Sequence, residues 1–120
     1  MDIVTAERAL ARLAARQSGL TLDRNVLCGN GGSPETPPLV QVSFVSGRPA
    51  GSAGLAELVA EVRGVFAEPE EAYAFADAVW GMLPCYGIEG FTALEAEKEI
   101  AFATEKGFFT ATGRIKAHFA

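Results

Sequence analysis

The chain is poor in the residues that metal and redox chemistry need. It holds one histidine, His118, and two cysteines, Cys28 and Cys85, in 120 residues. No CxxC pair occurs, and a structural zinc site takes about four soft ligands. The two cysteines therefore read as free thiols of a reducing compartment. Long apolar runs are missing too. None approaches the roughly 20 residues that cross a bilayer, and no basic start followed by an apolar stretch marks a signal peptide. Positive charge is in deficit, with ten Lys and Arg against fifteen Asp and Glu. A net charge of −5 and a pI near 4.8 argue against a domain that grips nucleic acid, because phosphate binding needs clustered Lys and Arg. The same acidity suits a surface that nucleic acid slides past. Catalytic groupings are also lacking: no nucleophile, base and oxyanion donors stand together in any recognisable pattern. The reading is of a non-enzyme with no cofactor.

Apolar material is plentiful. Hydrophobic residues make up 49% of the chain and eight are Phe. That is enough for the core of one domain, residues 1–120, without metal or disulfide staples. The stretch Leu55–Leu83 organises it. Leu58, Ala60, Val62 and Phe66 alternate with Glu57, Val59, Glu61 and Arg63, the period of a half-buried strand. The spacing then becomes helical from Pro69 to Leu83, with Phe75, Val79 and Met82–Leu83 on one stripe beside Tyr73, Ala76 and Trp80. Pro69 suits a first helical turn, Glu68, Glu70 and Glu71 complement the helix dipole, and Pro84 ends the helix.

Upstream, residues 2–18 predict an alanine-rich helix capped by Asp2 or Thr5 and closed by Gly19. Ile3, Ala6, Leu10, Leu13, Ala14 and Gln17 trace its apolar face. Arg8, Arg12 and Arg16 form a basic stripe that faces either water or an acidic neighbour. Leu20–Leu27 is ambiguous, with a hint of extended chain. Cys28–Pro38 is a Gly- and Pro-punctuated loop, either a plain connector or a segment that orders on a partner. It is no phosphate cradle: GxxxxGK[ST] is absent and no helix follows. Leu39–Ser46 is a strand, and Gly47–Gly54 joins it to Leu55–Phe66 as a long hairpin tipped by Arg48. The tip reads equally as an interaction arm or a surface turn.

Downstream, Cys85–Leu94 reads as irregular, with room for a short strand. In Glu95–Thr104, Ile100, Phe102 and Thr104 alternate with Glu99, Ala101 and Ala103. Glu95, Glu97 and Glu99 would share one solvated face of an extended segment. Glu105–Gly107 makes a turn. Phe108–Ala120 is the clearest strand, with Phe109, Ala111, Gly113, Ile115, Ala117 and Phe119 on one face and Thr110, Thr112, Arg114, Lys116 and His118 on the other. The predicted fold class is α+β: a mostly antiparallel sheet with two helices packed on one face. The second face, carrying Gln41, Ser43, Glu61, Arg63, Thr110, Thr112, Arg114 and Lys116, is left for solvent or another subunit.

In this order of elements the chain resembles the tail-terminator (minor capsid) proteins of long-tailed bacteriophages and related tailed particles. The resemblance rests on several features in sequence. The Ala-rich first helix is followed by Pro34, Pro37 and Pro38 before a strand. Then come the hairpin with Val62-Arg63-Gly64, the helix with Glu70-Glu71-Ala72 and Trp80-Gly-Met-Leu83, and the closing Gly113-Arg114-Ile-Lys-Ala-His-Phe119. Two departures stand at loops: the glycine-rich Gly29–Ser33, and Lys106-Gly107 where an acidic residue is expected before the last strand. The resemblance implies a structural protein made in the host cytoplasm and built into the virion at the head–tail interface. Such a protein forms a homo-oligomeric ring, a hexamer, on the tail-tube protein, stops tube growth and docks the head-to-tail connector. DNA would pass its lumen without specific binding. Arg48, Arg63, Arg114, Asn30 and Glu61 are then the candidate contacts between subunits or with the tube. Two alternatives stand beside this: another connector subunit (stopper or adaptor), or a small dimeric α+β binding module joined edge to edge.

Overall fold

The structure, a computed structural model, describes residues 2–29, 36–49 and 54–119. Two helices and seven strands follow one another: α1 (Ile3–Ser18), β1 (Val26–Cys28), β2 (Leu39–Pro49), β3 (Leu55–Phe66), α2 (Pro69–Trp80), β4 (Cys85–Ile88), β5 (Phe91–Ala96), β6 (Ala101–Glu105) and β7 (Phe108–His118). The strands form one sheet in the order β1-β2-β3-β7-β5-β4, with β6 also on β7. All pairings are antiparallel except β1 with β2, which is parallel. The expected α+β class is observed. Helix α1 packs on β1, β2 and β3, helix α2 on β3 and β7, and the helices touch each other, so both cover the same face.

The alternation read in the sequence places the core. Val40 and Val42 of β2, Leu58, Ala60 and Val62 of β3, and Ala111, Ile115 and Ala117 of β7 are all buried beneath the helices. α1 presents Ala6, Ala9, Leu10, Leu13 and Ala14 to them. Small side chains there let the helix lie close to the sheet. Its ends are fixed as the sequence requires: the Asp2 carboxylate accepts the Thr5 amide at 2.7 Å, and Gly19 closes the helix with a left-handed φ of 75°. Two glycines make room for α2. A Cβ on Gly64 would lie 2.6 Å from the Phe66 ring, and one on Gly113 would lie 2.6 Å from the Trp80 ring. Phe75 then stacks between them, its ring centre 5.2 Å from Phe66 and 5.8 Å from Trp80.

Several boundaries differ from the sequence reading, each for a local reason. The second helix stops at Trp80, not Leu83. The residue before Pro84 is barred from helical backbone, and the Leu83 amide turns back to the Trp80 carbonyl at 3.1 Å. Strand β2 runs on to Pro49, past the predicted Ser46, because the hairpin ladder continues through Arg48 opposite Glu57. The Cys85–Leu94 stretch is not irregular: it holds β4 and most of β5, a hairpin turned by Glu89 and Gly90 at positive φ. The predicted run Glu95–Thr104 is broken. β5 ends at Ala96 and β6 starts at Ala101, so Glu95, Glu97 and Glu99 do not share one strand face. Part of the ambiguous Leu20–Leu27 forms β1, which extends with Cys28 and pairs with Val40–Val42.

β7 is the hub. One edge pairs with β3 from Phe109 to His118. The other is shared end to end: β6 takes Phe108–Thr112 and β5 takes Ile115–His118. At the break between them the Arg114 carbonyl accepts the Glu97 amide at 2.9 Å.

Candidate assembly interface

The face of the sheet away from the helices is built by the polar half of the β3 and β7 alternation. It is less wet than its composition suggests. Ser43 and Thr110 are buried, and so are Val59 and Val65, which the period of two puts on this side. The Thr110 hydroxyl donates to the Ala103 carbonyl at 3.3 Å, tying β7 to β6. The charged residues then arrange themselves into pairs above this layer.

Glu57 of β3 is the centre of the largest group. Its carboxylate lies 3.3 Å from Lys116 Nζ, 3.4 Å from Arg48 Nη2 and 3.6 Å from His118 Nδ1. The other ring nitrogen of His118 lies 3.1 Å from Glu95 Oε1. Both imidazole nitrogens thus face carboxylate oxygens. A neutral ring donates to one of them, an imidazolium to both. One acid therefore joins the arm of β2 to β7, and His118 carries the link on to β5. Glu57, Lys116 and His118 are half-buried and Arg48 is exposed, so the group ties the exposed arm to the better covered part of the sheet.

The predicted contact residues separate. Glu61, Arg63 and Arg114 lie together on the open face, with Glu61 opposite Arg114 in the ladder. Arg63 is not free for a partner: its Nη2 lies 2.6 Å from Glu105 Oε2 of β6. Arg114 forms no ion pair among the described residues. It lines a shallow cleft with Glu61, Lys98, Glu99, Thr112 and Gly113. Arg48 stands apart on the arm, where Val45–Pro49 are exposed. Asn30 lies outside the described residues. The basic stripe of α1 meets acidic neighbours: Arg8 pairs with Asp23 at 2.5 Å, and Arg12 and Arg16 both reach Glu89 in the β4–β5 turn, at 3.3 and 3.0 Å.

Two features escaped the sequence reading. One is the Glu57 group; its signal was the shared period-two parity of Glu57 and His118 on strands that pair. The other is the outer edge of β6. All five β6 residues are exposed, and among the described residues no strand pairs that edge. Beside it Tyr73 of α2 and Phe102 form an exposed edge-to-face pair, ring centres 4.9 Å apart. They line a cleft of about 160 Å³ together with Pro69, Ala72 and Phe109.

Neither thiol is prepared for chemistry. Burial pushes both Cys28 and Cys85 upward, away from the thiolate form, and Cys28 feels only a weaker opposing pull from Arg8. Among the described residues no group of three or more His, Cys, Asp or Glu side chains is placed to hold a metal ion, and no helix is long and apolar enough to cross a membrane. No family model matches the chain, and no curated protein matches it in sequence.

Proposed function

We propose that this protein is a ring-forming structural subunit of a tailed particle, a tail terminator that caps the tail-tube protein and offers the docking surface for the head-to-tail connector. The observation that carries the reading is the shape of the sheet. One face is sealed by helices, the other is charged and open, and the β2–β3 hairpin extends past the core as an exposed arm. A ring needs a heterologous contact that closes by rotation, and such contacts use different surfaces of one subunit. The arm with Arg48 and the open face with Glu61 and Arg114 are two such surfaces. Arg63 belongs to the same face but already holds β6 in place through Glu105. The net charge of −5 is compatible with a lumen that DNA crosses without sticking.

Light scattering behind a sizing column, over a concentration series, tests the reading together with negative-stain images of the leading fraction. Closed rings with a central opening are the expected result. Charge reversal at Arg114 should then break the rings; rings that survive it remove Arg114 from the contact. A strict dimer at every concentration would replace this reading with the edge-joined binding module.

A further inference from the structure

We propose that the β6 edge is a docking site for an extended, cationic segment of another protein, which adds to the sheet as a further strand. The backbone supplies the first argument. β6 is bonded to β7 on one side, and among the described residues no strand pairs the amides and carbonyls of its other edge. Natural edges of this kind are blunted by Lys, Pro, a bulge or a covering element. β6 (Ala101–Glu105) has no Lys or Pro, its one charged residue, Glu105, is paired with Arg63, and its ladder with β7 runs without a bulge. Strand addition takes its affinity from such main-chain groups and its specificity from pockets for alternate side chains.

The pocket is present. The cleft beside Phe102, about 160 Å³, is floored by Pro69, Ala72 and Phe109 and walled by Tyr73. The cleft is open to solvent on one side, and Thr104 and Thr110 complete its mainly apolar lining. It therefore suits one branched aliphatic or aromatic side chain of the incoming strand.

Charge decides the occupant. Glu70 and Asp77 lie on the same exposed side of α2 as Tyr73, one turn before it and one after. Neither forms an ion pair among the described residues, and α2 has no basic residue. A second copy docking edge to edge through β6 would bring two such acidic rows together. A strand with Lys or Arg two residues either side of its apolar anchor would instead meet them. The two charge spacings are of similar size: seven residues of helix span about 10 Å, and four steps of strand about 13 Å. The site does not depend on ring formation.

The test is a ¹⁵N NMR titration of the full chain with two capped peptides, Gly-Lys-Thr-Leu-Thr-Lys-Gly and its counterpart with Glu in place of both Lys. The expected result is shift changes confined to β6 and the first two turns of α2, with the Lys peptide bound at least tenfold more tightly. Phe102→Ser should weaken the Lys peptide about fivefold or more. Glu70→Gln with Asp77→Asn, a pair of exposed changes that leaves the cleft intact, should abolish the preference between the peptides. Equal binding of both peptides, no binding up to millimolar concentration, or shifts centred elsewhere would overturn the proposal. So would concentration-dependent broadening of β6 in the protein alone, which would make a second copy the occupant.

Discussion

Gly113 shows how much one missing side chain decides. It faces the core at the centre of β7, and Trp80 lies on the space its Cβ would fill, 2.6 Å away. Gly113→Ala must push the indole off the sheet or bend the strand, an overpacking cost of about 1–3 kcal/mol. Trp80 is the single tryptophan, so its fluorescence reports the event directly. The expected outcome is a lower denaturation midpoint with an unchanged slope. The sequence places Gly113 correctly on the apolar face, but nothing in a period of two says that a ring from a helix must rest there; that contact joins positions far apart in the chain. The thiols supply a second prediction at this scale. Because burial raises both, alkylation of Cys28 and Cys85 by iodoacetamide near pH 7.5 should be several-fold slower in the native protein than in urea-unfolded chain. Equal rates would mean that neither thiol is shielded.

At the scale of elements, the long periodic segments were legible and the short ones were not. α1, β2, β3, α2 and β7 each repeat their pattern often enough to declare a type. β1 spans Val26–Cys28 and β4 spans Cys85–Ile88, too short to show a period, and both exist because a neighbouring strand offers them an edge. The break between β5 and β6 was hidden for another reason: Glu95–Thr104 keeps its alternation across a connector that leaves the sheet. Ends that depend on side-chain caps are better founded. Asp2 accepts the Thr5 amide, and that bond holds its carboxyl below the usual aspartate range; Arg8 does the same for Asp23 through a direct hydrogen bond. A carboxyl depressed in the folded state contributes stability above its unfolded value, about 3.9, and loses it as pH falls through the folded value. Acid should therefore loosen α1 at its start and at its tie to Asp23. Circular dichroism melts between pH 5 and pH 2 should show Asp2→Asn, which keeps the cap without the charge, losing less of its melting temperature than the parent. Equal losses would remove Asp2 from the acid response.

The whole molecule hangs on β7, whose two edges carry unequal loads. Against β3 it forms a ten-residue ladder under α2, with Ala111, Ile115 and Ala117 fully covered. Against β6 and β5 the ladders are short, and each outer strand is bonded to the sheet's centre only through β7. β4 is one step further out, attached through β5. Local opening follows the number of buried contacts and protected backbone bonds that must be broken. The β4–β5 hairpin has the ring pair of Phe91 and Phe119, with centres 5.3 Å apart, and the ion pairs of Glu89 to α1. β6 is held less firmly: all its residues are exposed, and its anchors are the exposed Tyr73–Phe102 ring pair, the Arg63–Glu105 pair and the Thr110 hydroxyl. Native-state hydrogen exchange should thus rank the molecule in three levels: β3 and the β3-facing amides of β7 slowest, the β4–β5 hairpin intermediate, β6 fastest. Arg63→Ala removes the charged anchor of β6 and should speed exchange in Ala101–Glu105 several-fold while leaving β3 unchanged. If β3 and β6 speed up together, β6 opens only with the whole sheet. A strand added to the outer edge of β6 should slow exchange in Ala101–Glu105 by holding β6 on β7, while β3 stays unchanged.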